Sequence, residues 1–145
     1  MKIGLAFGMV ASAACLLVDA ASLMAKDEAV AVSYERCGTG VRINCIVDGD
    51  TLWSNGVKIR VADIDAPEIS KPRCAAEKVL GERATTRLIQ LVNTAPFQMR
   101  AWPGRDEDKY GRKLWVLIRD GRSLGDILVS EGLARTWTGK REPWC

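Results

Sequence analysis

The stretch CIVDGDTLWSNGVKIRVADIDAPE, residues 45–68, decides the fold of this 145-residue chain. Apolar and polar residues alternate on both sides of Ser54-Asn55-Gly56, and an Asn-Gly pair tolerates the positive φ of a tight hairpin turn. The pattern predicts strand over 41–47 and 51–53 and a return strand over 57–64, which Pro67 ends.

The rest of the chain adds helices to this hairpin. Apolar residues at spacings of three and four predict a helix over 75–93. Ser123 as N-cap and Gly132 as stop predict a second helix over 123–131. Further strands are predicted at 97–102, 114–119 and 133–137. Short strands with a helix inserted among them and another near the end indicate an α+β fold built on a small, closed or nearly closed β-barrel.

Composition limits the chemistry. The chain has no histidine, so acid–base work near neutral pH falls to carboxylates, Lys, Tyr, Cys or a metal-bound water, and any metal site uses oxygen or thiolate ligands. Nucleases that depend on a histidine base are therefore excluded. The net charge of +3 is compatible with a polyanionic partner but equally with an ordinary solvated surface.

The N-terminus has the layout of a secretory signal peptide. Lys2 precedes an apolar run over 3–18, and small residues follow at several possible cleavage points between 20 and 26. We expect a signal peptide over 1–25, an extended lead-in over 27–36, and a domain over 37–145. The protein is then secreted or periplasmic, without stable membrane association after cleavage. The alternative is an uncleaved membrane anchor, for which the run is short.

Four cysteines remain after such cleavage: Cys37, Cys45, Cys74 and Cys145. In an exported domain of this size, two disulfides are favoured over free thiols. Three connectivities are open, and we expect Cys37–Cys45 and Cys74–Cys145. A zinc site is the competing interpretation, but the chain has neither a CxxC pair nor a histidine to complete one.

Three short segments concentrate residues suited to phosphate chemistry. They are Asp48-Gly49-Asp50-Thr51, Arg60-Val61-Ala62-Asp63-Ile64-Asp65-Ala66-Pro67-Glu68, and Asp108-Lys109-Tyr110-Gly111-Arg112. Alone, each is explained as well by a turn, a strand stop or a solvated loop. Together they are more informative, because a hairpin that links the first two segments can bring Asp50 and Asp65 to one end of the sheet.

One geometric requirement follows from strand alternation. Arg60 and Asp65 point to opposite faces of a regular strand, so the strand has to bend or end before Asp65 for both to reach one site. Asp48 is expected to be a turn or supporting residue, and Asp63 and Glu107 to be surface charges.

The order of these motifs resembles that of the staphylococcal-nuclease-like (thermonuclease) family, from about residue 45 to 137. The resemblance implies a five-stranded OB-type barrel with packed helices. It also implies a calcium-dependent endonuclease that hydrolyses DNA and RNA with little sugar specificity and leaves 3′-phosphate ends.

The resemblance also implies roles for individual residues. Asp50 and Asp65 match the carboxylates that bind Ca²⁺, and Ala66, where the family more often has Thr, matches a backbone carbonyl ligand. Arg60 and Arg112 match the arginines that hold the scissile phosphate, and Glu68 matches the residue that activates water. The nucleotide-contacting positions correspond to Lys109 and Tyr110.

Physical chemistry supports this assignment, since arginine binds phosphate through two N–H groups and calcium prefers oxygen ligands. No role is assigned to the five tryptophans beyond packing. We expect a monomer. The alternatives are a non-catalytic barrel that binds nucleic acid or peptide, and a membrane-held structural module.

Overall fold

The structure is a computed structural model that describes residues 32–145. The expected signal peptide over 1–25 and its cleavage points lie outside the described residues. Packing begins three residues before the expected start of the domain, because Tyr34 is 4% exposed and its hydroxyl hydrogen-bonds to Ser54 Oγ at 2.8 Å.

Nine strands and two helices make up the described part of the chain. In chain order they are β1 Glu35–Arg36, β2 Cys45–Asp48, β3 Thr51–Ser54, β4 Val57–Val61, β5 Ile64–Asp65, α1 Ala75–Thr94, β6 Gln98–Ala101, β7 Lys113–Arg119, β8 Arg122–Ser123, α2 Leu124–Ser130 and β9 Arg135–Thr136. No helix in residues 32–145 is long and apolar enough to cross a membrane.

Five strands of four residues or more form the main sheet in the order β2-β3-β4-β7-β6, with β1 beside β2 and β8 beside β7. A separate two-stranded sheet joins β5 to β9. The α+β class and the five principal strands agree with the predicted OB-type fold. The two-residue strands extend or brace this sheet.

The central hairpin forms where the sequence predicts it. Asn55 and Gly56 both have positive φ, 49° and 76°, and β3 pairs with β4 from Ser54↔Val57 to Thr51↔Arg60. The strand before it begins at Cys45 and not at residue 41. Val41 is 93% exposed and Ile43 55% exposed, so their apolar character does not reflect burial on a sheet face.

The core lies between the sheet and the helices. Ala84, Leu88 and Leu91 of the predicted helical stripe are buried in α1, while Leu80 packs at the margin of the core. They meet Ile46, Leu52, Ile59, Val61 and Leu117 of the sheet and Leu124 and Leu128 of α2. Burial of this apolar surface is the main stabilising term and fixes the sheet end that carries the acidic motifs.

The second helix is anchored by Asp63, for which the prediction of a surface charge is wrong. Ser123 caps α2 by accepting from the backbone N–H of Gly125 at 2.9 Å, and its hydroxyl donates to Asp63 Oδ2 at 2.5 Å. Burial raises the pKa of Asp63 in spite of this hydrogen bond. Asp63 is a structural group that ties the β4–β5 turn to α2.

Two disulfides join the cysteines in the expected pairs. Cys37–Cys45, which we call the local disulfide, spans a sequence separation of 8, and Cys74–Cys145, which we call the tail disulfide, spans 71. The tail disulfide returns the C-terminus to the start of α1, a few residues beyond Glu68.

Candidate active site

Arg60, Asp50 and Asp65 meet because the strand that carries Arg60 is interrupted. β4 ends at Val61, residues 62–63 form a turn, and pairing resumes in β5. Arg60 Nη2 then lies 3.6 Å from Asp50 Oδ2 and 3.8 Å from Asp65 Oδ1. The predicted requirement for a bend before Asp65 is therefore met by a break in the strand at residues 62–63.

Backbone carbonyls of the same turn hold the Arg60 side chain. Nη1 donates to Val61 O at 2.6 Å and to Ile64 O at 2.9 Å, and the guanidinium lies 5.0 Å from the ring centroid of Trp137. Nη2 is buried and has no hydrogen-bond partner within residues 32–145. A buried, unsatisfied donor on a positive group is suited to an anionic oxygen of a ligand.

Asp50 is fixed by its neighbours and by a close approach of the backbone. Its Oδ1 accepts from the Thr51 hydroxyl at 3.0 Å and its Oδ2 from Ala66 N at 3.0 Å. A Cβ added to Gly49 would lie 2.8 Å from the Cβ atoms of both Ala66 and Ala84. Only glycine allows this turn to pack so closely on α1, which explains the middle residue of the Asp-Gly-Asp motif.

Asp65 combines burial with incomplete hydrogen bonding. Its Oδ2 accepts from Trp144 Nε1 at 3.3 Å. Its Oδ1 is buried without a well-aligned hydrogen bond in the described residues, although Arg141 Nε lies 3.0 Å away. Burial raises the pKa of Asp65, against the opposing charge of Arg141. Such a carboxylate favours a nearby cation.

Glu68 lies beside the two aspartates and is paired with the C-terminal tail. Its Oε1 forms an ion pair with Arg141 Nη1. The segment that carries Glu68 is anchored by Glu77 of α1, which is 4% exposed. Glu77 accepts from Arg73 N at 2.6 Å and from Glu68 N at 3.3 Å, so it positions the Glu68 backbone.

Asp48 adds a fourth carboxyl group to this region. Its Oδ1 accepts from Asp50 N at 3.1 Å, which agrees with the supporting role predicted for it. Burial, and then the charge of Asp50, raise the pKa of Asp48 to about 7. The site therefore crowds negative charge that a cation would relieve.

Arg112, Lys109 and Tyr110 line the same groove as Arg60 and Glu68, and no hydrogen bond or ion pair joins them to Asp50 or Asp65 in the described residues. Arg112 is held by Asp108, with Nε 2.7 Å from Oδ2, and Tyr110 is 71% exposed. Burial acts to raise the pKa of Asp108, but hydrogen bonds from Arg112 outweigh it and hold that pKa below its ordinary value. Glu107 is exposed and pairs with Lys113, as expected of a surface charge.

This groove has a volume of about 1110 Å³. Its lining includes six basic residues, two acidic residues and three aromatic residues: Lys58, Arg60, Arg105, Lys109, Arg112, Arg141; Glu68, Asp108; Trp102, Tyr110, Trp137. A basic groove lined by aromatic rings is suited to binding single-stranded nucleic acid.

Sequence reasoning missed the residues that the C-terminal tail contributes. Arg141 contacts Asp65 and Glu68 and lies 3.9 Å from Asp50 Oδ2, and Trp144 hydrogen-bonds to Asp65, so a packing role alone is wrong for this tryptophan. The expected Cys74–Cys145 disulfide could have indicated both residues, because it attaches the C-terminal tail only six residues after Glu68 and so brings the tail close to the site.

The donor atoms fit a calcium ion in kind. Carboxylate oxygens are hard ligands of the type that calcium prefers, and Asp65 Oδ1 lacks a well-aligned partner. No three His, Cys, Asp or Glu side chains within residues 32–145 converge closely enough to hold a metal. The guanidinium of Arg141 forms ion pairs with Asp65 and Glu68, so these carboxylates already have a positively charged partner.

Several known proteins are similar in sequence to this chain. Residues 58–143 match the family described as "Staphylococcal nuclease homologue". The chain is 38% identical over 99 residues to Endonuclease YncB of Bacillus subtilis (strain 168). These residues are 66% of this chain and 46% of the relative. It is also 38% identical over 99 residues to SPbeta prophage-derived endonuclease YokF of the same strain, covering 66% of this chain and 33% of the relative.

A third relative is Micrococcal nuclease of Shigella flexneri, 30% identical over 102 residues, which are 61% of this chain and 53% of the relative. The chain thus spans from about a third to about half the length of these relatives. The family match covers more than half of the chain and includes Arg60, Asp65, Glu68 and Arg112. The chain belongs to the staphylococcal nuclease homologue family.

Proposed function

We propose that this protein is an endonuclease that hydrolyses phosphodiester bonds of DNA and RNA with little sugar specificity and leaves 3′-phosphate ends. The observation that carries the proposal is the contact of Arg60 with Asp50 and Asp65, next to Glu68, where Arg60 and Glu68 line a basic, aromatic-lined groove. The names of the relatives, all nucleases, support the same activity.

Arg60 and Arg112, which both line the groove, bind the scissile phosphate. Negative charge grows on the phosphoryl oxygens as a water attacks, so fixed donors there stabilise the transition state more than the ground state. Arg60 is already oriented by two backbone carbonyls, which lowers the cost of ordering it.

Glu68 takes the proton from the attacking water, because the chain has no histidine for this task. The water oxygen forms a bond to phosphorus as the phosphorus–O5′ bond breaks, the 5′ oxygen takes a proton from solvent water and leaves as a hydroxyl, and the phosphate stays on the 3′ side. The Tyr110 ring, exposed beside Lys109, offers a face on which a base stacks.

A calcium ion held by Asp50, Asp65 and the backbone carbonyl of Ala66 would supply positive charge that polarises the phosphoryl oxygens. Removing calcium with a chelator is then expected to abolish cleavage. Full activity in chelator would contradict the metal assignment.

Glu68→Gln tests the catalytic role directly. We expect cleavage of single-stranded DNA in millimolar calcium to fall by orders of magnitude, while fluorescence anisotropy still detects substrate binding. Glu82→Gln is a matched control, because the Glu82 side chain is 43% exposed, pairs with Arg36 and has no contact with the groove or the site carboxylates among those found in the described residues. A non-catalytic binding module would respond to neither substitution.

Secretion or export to the periplasm and a monomeric state complete the proposal. Two disulfides in the described domain favour an oxidising compartment. Mass spectrometry of the exported protein tests it, with a first residue between 21 and 27 expected. An intact N-terminus would favour the membrane-held alternative.

A further inference from the structure

The C-terminal tail places a cation among the site carboxylates. Arg141 follows β9 by five residues, and its Nε lies 3.0 Å from Asp65 Oδ1. Its other nitrogens form an ion pair with Glu68 and lie 3.9 Å from Asp50 Oδ2. One guanidinium thus lies next to Asp50 and Asp65, the carboxylates that would bind the proposed metal.

The residues that follow Arg141 are held to the domain, so the segment that carries Arg141 is anchored at its C-terminal end. The tail disulfide binds Cys145 to the residue that caps α1. Arg135 donates to Pro143 O at 3.0 Å, and its guanidinium lies 3.8 Å from the ring centroid of Trp144. These contacts hold Arg141 at a high effective concentration beside the acids.

Charge balance explains why the contact forms and why it conflicts with a metal. Three carboxylates close together need positive charge, and Arg141 supplies one unit of it. A guanidinium does not lose its proton at any pH at which proteins fold, so this unit of positive charge is always present. A divalent ion needs the same oxygen atoms and cannot bind while they face the guanidinium.

We propose that Arg141 is a built-in competitor of the divalent cation, held in place by the tail disulfide, and that it has to leave the carboxylates before the metal binds. This inference rests on the proposed metal site. If the arginine-filled arrangement is populated at 90–99%, the apparent dissociation constant for metal is raised by about 10- to 100-fold, since only the remaining fraction is competent.

Calorimetric titration of calcium chloride into the oxidised, metal-stripped protein tests the competition without measuring activity. We expect Arg141→Gln to bind calcium at least about tenfold more tightly than the wild-type protein. Lys140→Gln is the matched control: it removes the same charge from the neighbouring residue, whose side chain is 76% exposed and pairs with Glu142. Its dissociation constant is expected within twofold of the wild-type value.

Replacing both tail cysteines with serine tests the part played by the disulfide. We expect this double variant to bind calcium more tightly than the wild-type protein, and to add nothing when combined with Arg141→Gln. Thermal melts of every variant verify that it is folded at the titration temperature.

Each other outcome overturns the proposal in a recognisable way. Equal affinity of Arg141→Gln and Lys140→Gln would mean that the guanidinium does not oppose the metal. Weaker binding by Arg141→Gln would make Arg141 a supporting group. Calcium binding by neither protein would overturn the competition and the proposed metal site together, whereas binding by both with equal strength leaves the metal site intact.

Discussion

Substitution of Glu77 by alanine should damage both stability and the position of Glu68. The Glu77 carboxylate is 4% exposed and accepts two backbone hydrogen bonds, a short one of 2.6 Å from Arg73 and a long one of 3.3 Å from Glu68. A hydrogen bond to a charged group contributes about 1.5–3 kcal/mol, and the longer bond less. The expected loss in the free energy of unfolding is about 3 kcal/mol.

Urea unfolding followed by tryptophan fluorescence measures this loss. For the described 114-residue segment, 3 kcal/mol corresponds to a fall of roughly 10–15 °C in Tm. Glu77→Gln keeps one carbonyl acceptor and should lose less than the alanine variant. The cleavage rate at saturating calcium should fall by about 10- to 100-fold in Glu77→Ala, because a catalytic group displaced by about 1 Å loses that much.

Glu82→Ala is the control for the alanine substitution on the same helix. Its side chain is 43% exposed and pairs with Arg36 at the surface, so the expected change is under about 0.5 kcal/mol. If Glu77→Ala also lost less than about 0.5 kcal/mol, the claim that Glu77 anchors the segment from 68 to 73 would be refuted.

Three further changes test other parts of the structure. Gly49→Ala should cost about 1–3 kcal/mol in urea unfolding because its Cβ would meet two others at 2.8 Å, whereas Gly40→Ala, with nothing within 4 Å, should be neutral. Loop closure over sequence separations of 71 and 8 predicts that removing the tail disulfide costs roughly 4.5 kcal/mol of stability and that removing the local disulfide costs roughly 2.5 kcal/mol. A Tm insensitive to reductant would contradict both values. The pKa of Asp48 is raised from 3.8 to about 7 in the fold, so its contribution to stability is complete below pH 4 and is lost as pH rises through 7. The free energies of unfolding of Asp48→Asn and of the wild-type protein are compared in chelator. The value for Asp48→Asn minus that for the wild-type protein should therefore increase between pH 5 and 8, and a constant difference would argue against this.

The extent to which the sequence determined the fold varies with how local the signal is. The Asn55-Gly56 turn, the Ser123 cap and the apolar stripe of α1 are local features, and the structure confirms the elements that they predict. The strand predicted from residue 41 was wrong, since apolar alternation over a few residues does not reveal whether a partner strand is present.

The candidate site divides in the same way. The sequence by itself determined the acids and arginines, because Asp50, Arg60, Asp65 and Glu68 all lie within 19 residues around one hairpin. It also set the condition that the strand bend before Asp65, since alternation is a property of the backbone. The break itself lies at residues 62–63, where Asp63 accepts a hydrogen bond from Ser123, the N-cap of α2, 60 residues away in the chain.

Only the tertiary structure determined which groups contact the site carboxylates. Arg141 and Trp144 are more than 70 residues from the carboxylates that they contact, and no periodicity connects groups so far apart. Their position results from the tail disulfide and from the stacking of Arg135 on Trp144, both long-range in their effect on the site. The local residue pattern thus specified the acids and arginines of the candidate site, while the folding back of the C-terminus determined which cation the acids contact.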